Sequence, residues 1–161
     1  MARRDDDVRI TPSILDRLID MEPTASKDPP KSRFTGVQEL KAGVRRDLEW
    51  LLNTRSHGDE TVDEDAEVRR SVVFYGMPDI LGLNPQTPAE KKRLTKSIET
   101  AIRRFEPRFL DLKITLEPFD EIERQVRFRV EAKLDMEPAP EPIIFDTVLA
   151  SGSGEFAVKE R

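Results

Sequence analysis

Residues 87–109 read TPAEKKRLTKSIETAIRRFEPRF, a helix that stops abruptly and gives way to a different period. Thr87 is placed to cap, Pro88 occupies the first helical position, and Glu90 is spaced to reach back in a capping box. Leu94, Ile98, Ala101, Ile102 and Phe105 recur at helical spacing and form one apolar stripe. Pro107 ends the pattern. It has no N–H to donate, and it pushes Glu106 out of helical geometry. Glu106 and Arg108 are therefore held on either side of a stiff residue. Beyond them Leu110, Leu112, Ile114 and Leu116 alternate with Asp111, Lys113, Thr115 and Glu117, the period of a strand with one buried face.

Downstream, Pro118-Phe119-Asp120 begins a turn. Val126, Phe128, Val130, Ala132 and Leu134 then alternate with Arg127, Arg129, Glu131 and Lys133. Two such strands make an antiparallel hairpin, and its apolar face needs helices against it because an isolated hairpin is barely stable. The segment 137–142, EPAPEP, reads as a stiff connector. Ile143, Ile144, Phe145, Asp146, Thr147, Val148 and Leu149 form a third strand, followed by Ser-Gly-Ser-Gly and the short apolar piece Phe156, Ala157 and Val158.

Upstream, Val37, Leu40, Val44, Leu48, Leu51 and Leu52 define a long helix over 37–53. Gly43 inside it costs about 1 kcal/mol against alanine and suggests a close crossing with another element. Trp50 lies off the stripe. Residues 56–68 hold six carboxylates, at spacings that do not fit an EF-hand, so a solvated loop is expected. Its His57 is the only histidine, which makes a poor case for a metal site or a triad. The run 71–76, SVVFYG, is too short to assign to strand or helical turn. Near the start, Ser13 is placed to cap a short helix with Ile14, Leu15, Leu18 and Ile19 on one face. The polar, proline-rich stretch 22–33 tethers that helix, which could fold back on the body or dock on another protein. Residues 1–9 are charged and expected to be disordered.

The expected architecture is α+β: a small antiparallel sheet of three to four strands with helices packed on one face. Residues 1–33 read as a flexible segment carrying the short helix, 34–150 as the folded domain, and 151–161 as a C-terminal tail. A sheet of this size has open edges, and an open edge can recruit a strand from another chain.

Composition narrows the function. The chain has 161 residues, 37% hydrophobic and 37% charged, with a net charge of −5, a poor match to nucleic acid or an anionic membrane. It has no cysteine, which removes disulfides, thiolate metal sites and a cysteine nucleophile. No apolar run approaches the length of a membrane span. The opening MARRDDDVR lacks the apolar run of a secretory signal, so a cytoplasmic location is expected, and no cofactor or metal is.

Four separated pieces carry a resemblance: Pro12-Ser13-Ile14-Leu15-Asp16-Arg17-Leu18, then Arg46-Asp47-Leu48-Glu49-Trp50-Leu51-Leu52-Asn53-Thr54-Arg55, then Ser71-Val72-Val73-Phe74-Tyr75-Gly76-Met77-Pro78-Asp79, and Phe105-Glu106-Pro107-Arg108-Phe109. In this order they resemble the TssE family, baseplate subunits of bacterial type VI secretion systems, related to a wedge protein of contractile phage tails and to a lysozyme-like superfamily. The resemblance covers about residues 10–150. Phe109 departs from it, standing where a smaller aliphatic residue is usual, and Ser56 replaces a second arginine.

The resemblance implies structural work at the cytoplasmic face of the inner membrane. It implies binding to the wedge subunits TssF and TssG, with TssK a further candidate, and templating of the sheath proteins TssB and TssC by strand exchange. It assigns wedge binding to Glu106, Pro107 and Arg108. Sheath binding is expected at an open edge, placed at or near the strand of Ile143, Ile144, Phe145, Asp146, Thr147, Val148 and Leu149. Read from the residues alone, the Glu-Pro-Arg triplet is a helix stop with two solvated charges. Two rivals stand beside this reading. A lysozyme-like glycoside hydrolase acting on peptidoglycan needs a pair of carboxylates, one kept protonated by a dry pocket, and Glu106 is the residue to inspect. A nucleic-acid binder would use Arg103, Arg104, Arg108, Arg127 and Arg129, but one tryptophan and one tyrosine are few for base stacking.

Overall fold

The computed structural model of the chain describes residues 10, 12–19, 23–24, 33–57, 66–80, 87–117, 125–150 and 154–161. The charged stretch 1–9, most of the 22–33 tether, the carboxylate-rich 58–65, the loop containing Gly82 and the turn after Glu117 lie outside the described residues.

Among the described residues, four helices and a four-stranded antiparallel sheet make an α+β fold. The helices are α1 (Ile14–Leu18), α2 (Arg33–Asn53), α3 (Ala66–Arg69) and α4 (Pro88–Phe105). The strands β1 (Phe109–Leu116), β2 (Gln125–Leu134), β3 (Glu141–Ala150) and β4 (Phe156–Glu160) lie side by side in chain order. The run at 71–76 contains a 3-10 turn over Val72–Phe74.

The two long helices lie beneath the sheet, α4 against β1 and α2 against β4. The α4 stripe is buried as its spacing predicts, through Leu94, Ile98, Ala101 and Ile102. Val44, Leu48, Leu51 and Leu52 of α2 meet it. Val126, Phe128, Val130, Ala132 and Leu134 close the core from β2. Thr87 is the N-cap residue, but its side chain makes no capping bond; its carbonyl accepts from Lys91 N–H at 2.9 Å. The far face of the sheet carries cross-strand ion pairs, Lys113–Glu131 and Arg129–Asp146 among them.

Two features of β1 depart from simple alternation. Asp111 has φ of 51°, left-handed backbone that a short polar side chain tolerates. Leu110 pairs with Lys133 and Lys113 with Glu131, so Asp111 and Leu112 together face Ala132 as a bulge. The bulge flips the pleat. Leu110, expected inside, is exposed, while Phe109 turns inward onto Phe145 with ring centroids 6.3 Å apart.

The sheet also corrects two expectations at its other end. The strand containing Ile143–Leu149 is not an edge. It pairs with β2 along its whole length and with β4 from Phe145 to Leu149. Its Ile143, Phe145, Thr147 and Leu149 are buried; Ile144, Asp146 and Val148 take the solvent face. The covering strand is β4, drawn from the segment read as a tail. Phe156 and Val158 are both buried, so five residues suffice to extend the core.

Gly76 fixes the one tight approach between the 3-10 region and α2. Its φ is 112°, and a Cβ there would stand 2.3 Å from the Thr54 carbonyl oxygen. The approach lets Met77 N–H donate to Thr54 O at 2.7 Å and Ser56 N–H donate to Met77 O at 2.8 Å.

Candidate functional site

The corner between α4 and β1 is built by its own sequence. Glu106 still donates its N–H to Ile102 O at 2.8 Å, as the last residue of the helix ladder, and Phe109 N–H returns to Glu106 O at 3.3 Å. Pro107 fills the second position of the resulting turn, where its fixed φ is favoured. The turn is tied to the sheet by Asp135 N–H, which donates to Arg108 O at 2.8 Å.

The triplet is not a pair of solvated charges. Glu106 is only 5% exposed. Arg108 Nε and Nη2 donate to its two carboxylate oxygens, and the Arg108 backbone N–H donates to Oε1. Arg108 Nη2 also donates to Asp47 Oδ2 of α2 at 2.8 Å. The hydrogen bonds Arg108 donates to Glu106, then the charge of Glu106, then the hydrogen bond to Asp47 and its charge, hold the guanidinium well above its usual pKa against the opposing effect of burial. The fork is thus used bidentately within the chain. Pro107 stands exposed beside it.

The ion pairing continues outward. Asp47 Oδ1 accepts from Arg46 Nη2 at 2.8 Å, and Arg46 Nη1 donates to Asp16 Oδ1 of α1 at 2.7 Å. Asp16 Oδ2 accepts from Ser13 Oγ at 2.7 Å, and Ser13 Oγ caps α1 by accepting from Asp16 N–H at 3.1 Å. Alternating charges from three elements therefore form one chain: Glu106, Arg108, Asp47, Arg46, Asp16. The crossing announced by Gly43 is real, since a Cβ there would stand 2.9 Å from Asp16 Oδ2. Arg46 also lies over the ring of Trp50, 5.0 Å from its centroid.

This docking inverts the usual placement of an amphipathic helix. α1 folds back on the body through its polar residues, and it leaves Ile14 and Leu18 each 77% exposed. Burial works to raise the Asp16 carboxyl, but hydrogen bonds from Ser13 and Arg46, with the charge of Arg46, outweigh it and hold the group below the usual carboxylate value. A carboxyl lowered on folding contributes stability above its unfolded value and loses it as pH falls through the folded value. Protection factors for hydrogen exchange at residues 14–18 are therefore expected to hold at neutral pH and to be lost only as pH falls below the usual carboxylate range. Asp16→Asn should release the helix already at pH 7; equal protection in that variant would mean α1 is held by something else.

Ser13, Asp47, Leu51, Tyr75, Phe105, Glu106, Pro107 and Arg108 line one groove of about 390 Å³. All four sequence pieces quoted above contribute to its wall. The Tyr75 ring meets Phe105 edge-on at 5.3 Å; burial, then the charges of Asp47 and Glu106, raise its hydroxyl pKa. Sequence reasoning singled out the triplet and missed Asp47, Arg46, Asp16 and Tyr75. Their signal was membership of the same ordered set of pieces. The 143–149 strand lies elsewhere, in the sheet, and takes no part in the groove.

The groove suits recognition better than acid catalysis. Both Glu106 oxygens are engaged by Arg108, so this carboxyl is not placed to give a proton to a leaving group. Among the described residues no group of acidic or histidine side chains could hold a metal ion, and no helix is long and apolar enough to cross a membrane. A family model described as baseplate wedge protein gp25 matches residues 38–139, from early α2 to just past β2, the corner included. No individual curated protein matches the chain.

Proposed function

Because the chain belongs to the family of the baseplate wedge protein gp25, the family of TssE, we propose that it is the TssE-type baseplate subunit of a type VI secretion system. The family role is structural, in the baseplate of a contractile injection machine. In the proposed role the Glu106-Pro107-Arg108 corner docks the wedge subunits TssF and TssG, with TssK a further candidate. An unfilled margin of the sheet gives the sheath proteins TssB and TssC a strand to build on, and the assembly sits in the cytoplasm against the inner membrane.

One observation carries the docking reading: the groove joins a buried, internally neutralised ion pair to apolar walls. Leu51, Tyr75 and Phe105 supply contact area, and the exposed Pro107 supplies a rigid rim. Arg108 lines the groove, and its Nη1 has no hydrogen-bond partner among the described residues, which leaves a donor for an occupant. Such a site has the anatomy of a binding hot spot, a central anchor pocket beside a fixed charge.

The test is recovery of partners from the native cell with the tagged chain. Wedge and sheath subunits should co-purify. Arg108→Lys keeps a cation for Glu106 but removes the planar fork; it should lower wedge recovery severalfold and leave sheath recovery intact. A folded wild-type chain that recovers neither class overturns the reading.

A further inference from the structure

The two margins of the sheet differ. On β4 the ladder turns Phe156, Val158 and Glu160 outward, and α2 answers them. Asn53 Nδ2 donates to Phe156 O at 2.9 Å, and Asn53 Oδ1 accepts from Phe156 N–H at 2.8 Å. Arg45 Nη1 donates to Val158 O at 3.4 Å. A side-chain amide thus stands where the peptide of a neighbouring strand would.

On β1, Glu117 N–H donates to Arg127 O at 2.8 Å. In an antiparallel ladder this makes Thr115 and Lys113 the other residues bonded to β2, and it turns Leu112, Ile114 and Leu116 outward. Arg103 Nη2 of α4 takes Leu112 O at 3.0 Å. The backbone groups of Ile114 and Leu116 have no partner among the described residues. Their side chains are half-buried at the rim of the core.

The reach of Arg103 also shows which side of α4 flanks this margin. Counting back along the same stripe gives Glu99, which pairs with Arg103 at 2.9 Å, then Lys96 and Lys92. β1 runs back along α4 after the tight turn. Lys96 and Lys92 lie about 10 and 16 Å up the helix from Arg103, and Leu116 lies about 13 Å along β1 from Leu112. The lysines therefore come level with the unpaired backbone. Both are exposed, and neither has an ion-pair partner among the described residues. At i and i+4 they repel each other, which works against the helix on its own.

We propose that the β1 margin accepts an extended acidic segment of a partner protein. This rests on the template reading above and names the margin and the chemistry of the incoming strand. Its main chain pairs with Ile114 and Leu116, and its carboxylates lie over Lys92 and Lys96. The spacings agree: every second residue of a strand advances about 6.8 Å, and four residues of helix advance about 6 Å. A segment with an acid at alternate positions matches both rows at once.

The test uses the full chain and two labelled ten-residue peptides, one alternating valine with glutamate and one alternating valine with lysine, followed by fluorescence anisotropy. The glutamate peptide should bind at least about tenfold more tightly than the lysine peptide and weaken between 50 and 300 mM salt, as opposite charges at an interface require. Lys92→Glu with Lys96→Glu should weaken it by about tenfold or more. Ile114→Pro, which removes an outward N–H, should fold and abolish binding. Equal binding of both peptides, binding of neither, no effect of the lysine reversal, or self-association of the chain that blocks the margin would each overturn the proposal. Sheath subunits recruited equally by wild type and the lysine reversal would also overturn it and leave the template reading standing. Wild type that recruits no sheath subunit fails the template reading itself.

Discussion

Phe145→Pro is expected not to fold. Phe145 is fully buried and pairs with Val130 of β2 on one side and Glu160 of β4 on the other. Arg161 N–H donates to Ile144 O, which directs Ile144 towards β4 and Phe145 towards β2. Proline would therefore remove a bond to Val130 and leave a buried carbonyl without its donor, at about 1–3 kcal/mol. Loss of the phenyl group adds about 3–5 kcal/mol, and proline inside a central strand is itself excluded by geometry. The sum matches the whole stability of a typical domain, about 5–15 kcal/mol. Circular dichroism should show no cooperative melt. The same substitution would have been a selective probe of partner binding only if this strand lay at an edge; a normal melt would mean that Phe145 neither bonds to Val130 of β2 nor fills the core.

Arg108→Ala is expected to cost about 3 kcal/mol. Removing one partner of a buried ion pair leaves the other charge uncompensated, a loss of about 3–5 kcal/mol when both are fully buried. The Arg108 side chain is 28% exposed, so water reaches it and the lower end applies. For a chain of this length that corresponds to a fall in Tm of about 6–12 °C. The loss belongs to the pair. Glu106→Leu combined with Arg108→Leu should cost less than the sum of the two single changes, because neither charge is then stranded. Thermal melts of the four proteins check this. Additive losses would mean that Glu106 and Arg108 are held independently. It follows that loss of partner binding in Arg108→Ala is meaningful only below that variant's own melting transition.

Much of the architecture is legible in the residues, because it rests on local periodicity. The α4 stripe, the change of period at Pro107 and the alternation in β2 each depend on which residues must be buried, and those are written consecutively. The strand β4 was hidden, since five residues after Ser-Gly-Ser-Gly carry too little pattern to separate a strand from a tail. The bulge at Asp111 was hidden for another reason: a left-handed aspartate looks like any other polar residue in an alternating run, yet it reverses the fate of Leu110 and Phe109.

At the site, spacing located the corner and misjudged its state. A glutamate next to proline reads as solvated when its environment is unknown. Its partner Arg108 is shared with Asp47, and the ion pairs run on through Arg46 to Asp16, residues that lie on two other helices. Interactions at that sequence distance leave no periodic trace. Gly43 was the one local hint, a glycine kept inside a helix at a cost, and it does mark the place where α1 crosses α2. The polar docking of α1 could not be read from its apolar face, because the expected contact is the one the fold leaves exposed.

The groove at the α4–β1 corner is proposed to hold a wedge subunit. The most direct measurement replaces Tyr75 with a photo-crosslinking phenylalanine analogue and irradiates the native cell. Tyr75 lines the groove and already carries an aromatic ring of similar size. A covalent adduct with a wedge subunit, identified by mass spectrometry, is expected. Adducts with sheath subunits alone, or none from a folded chain, would contradict it.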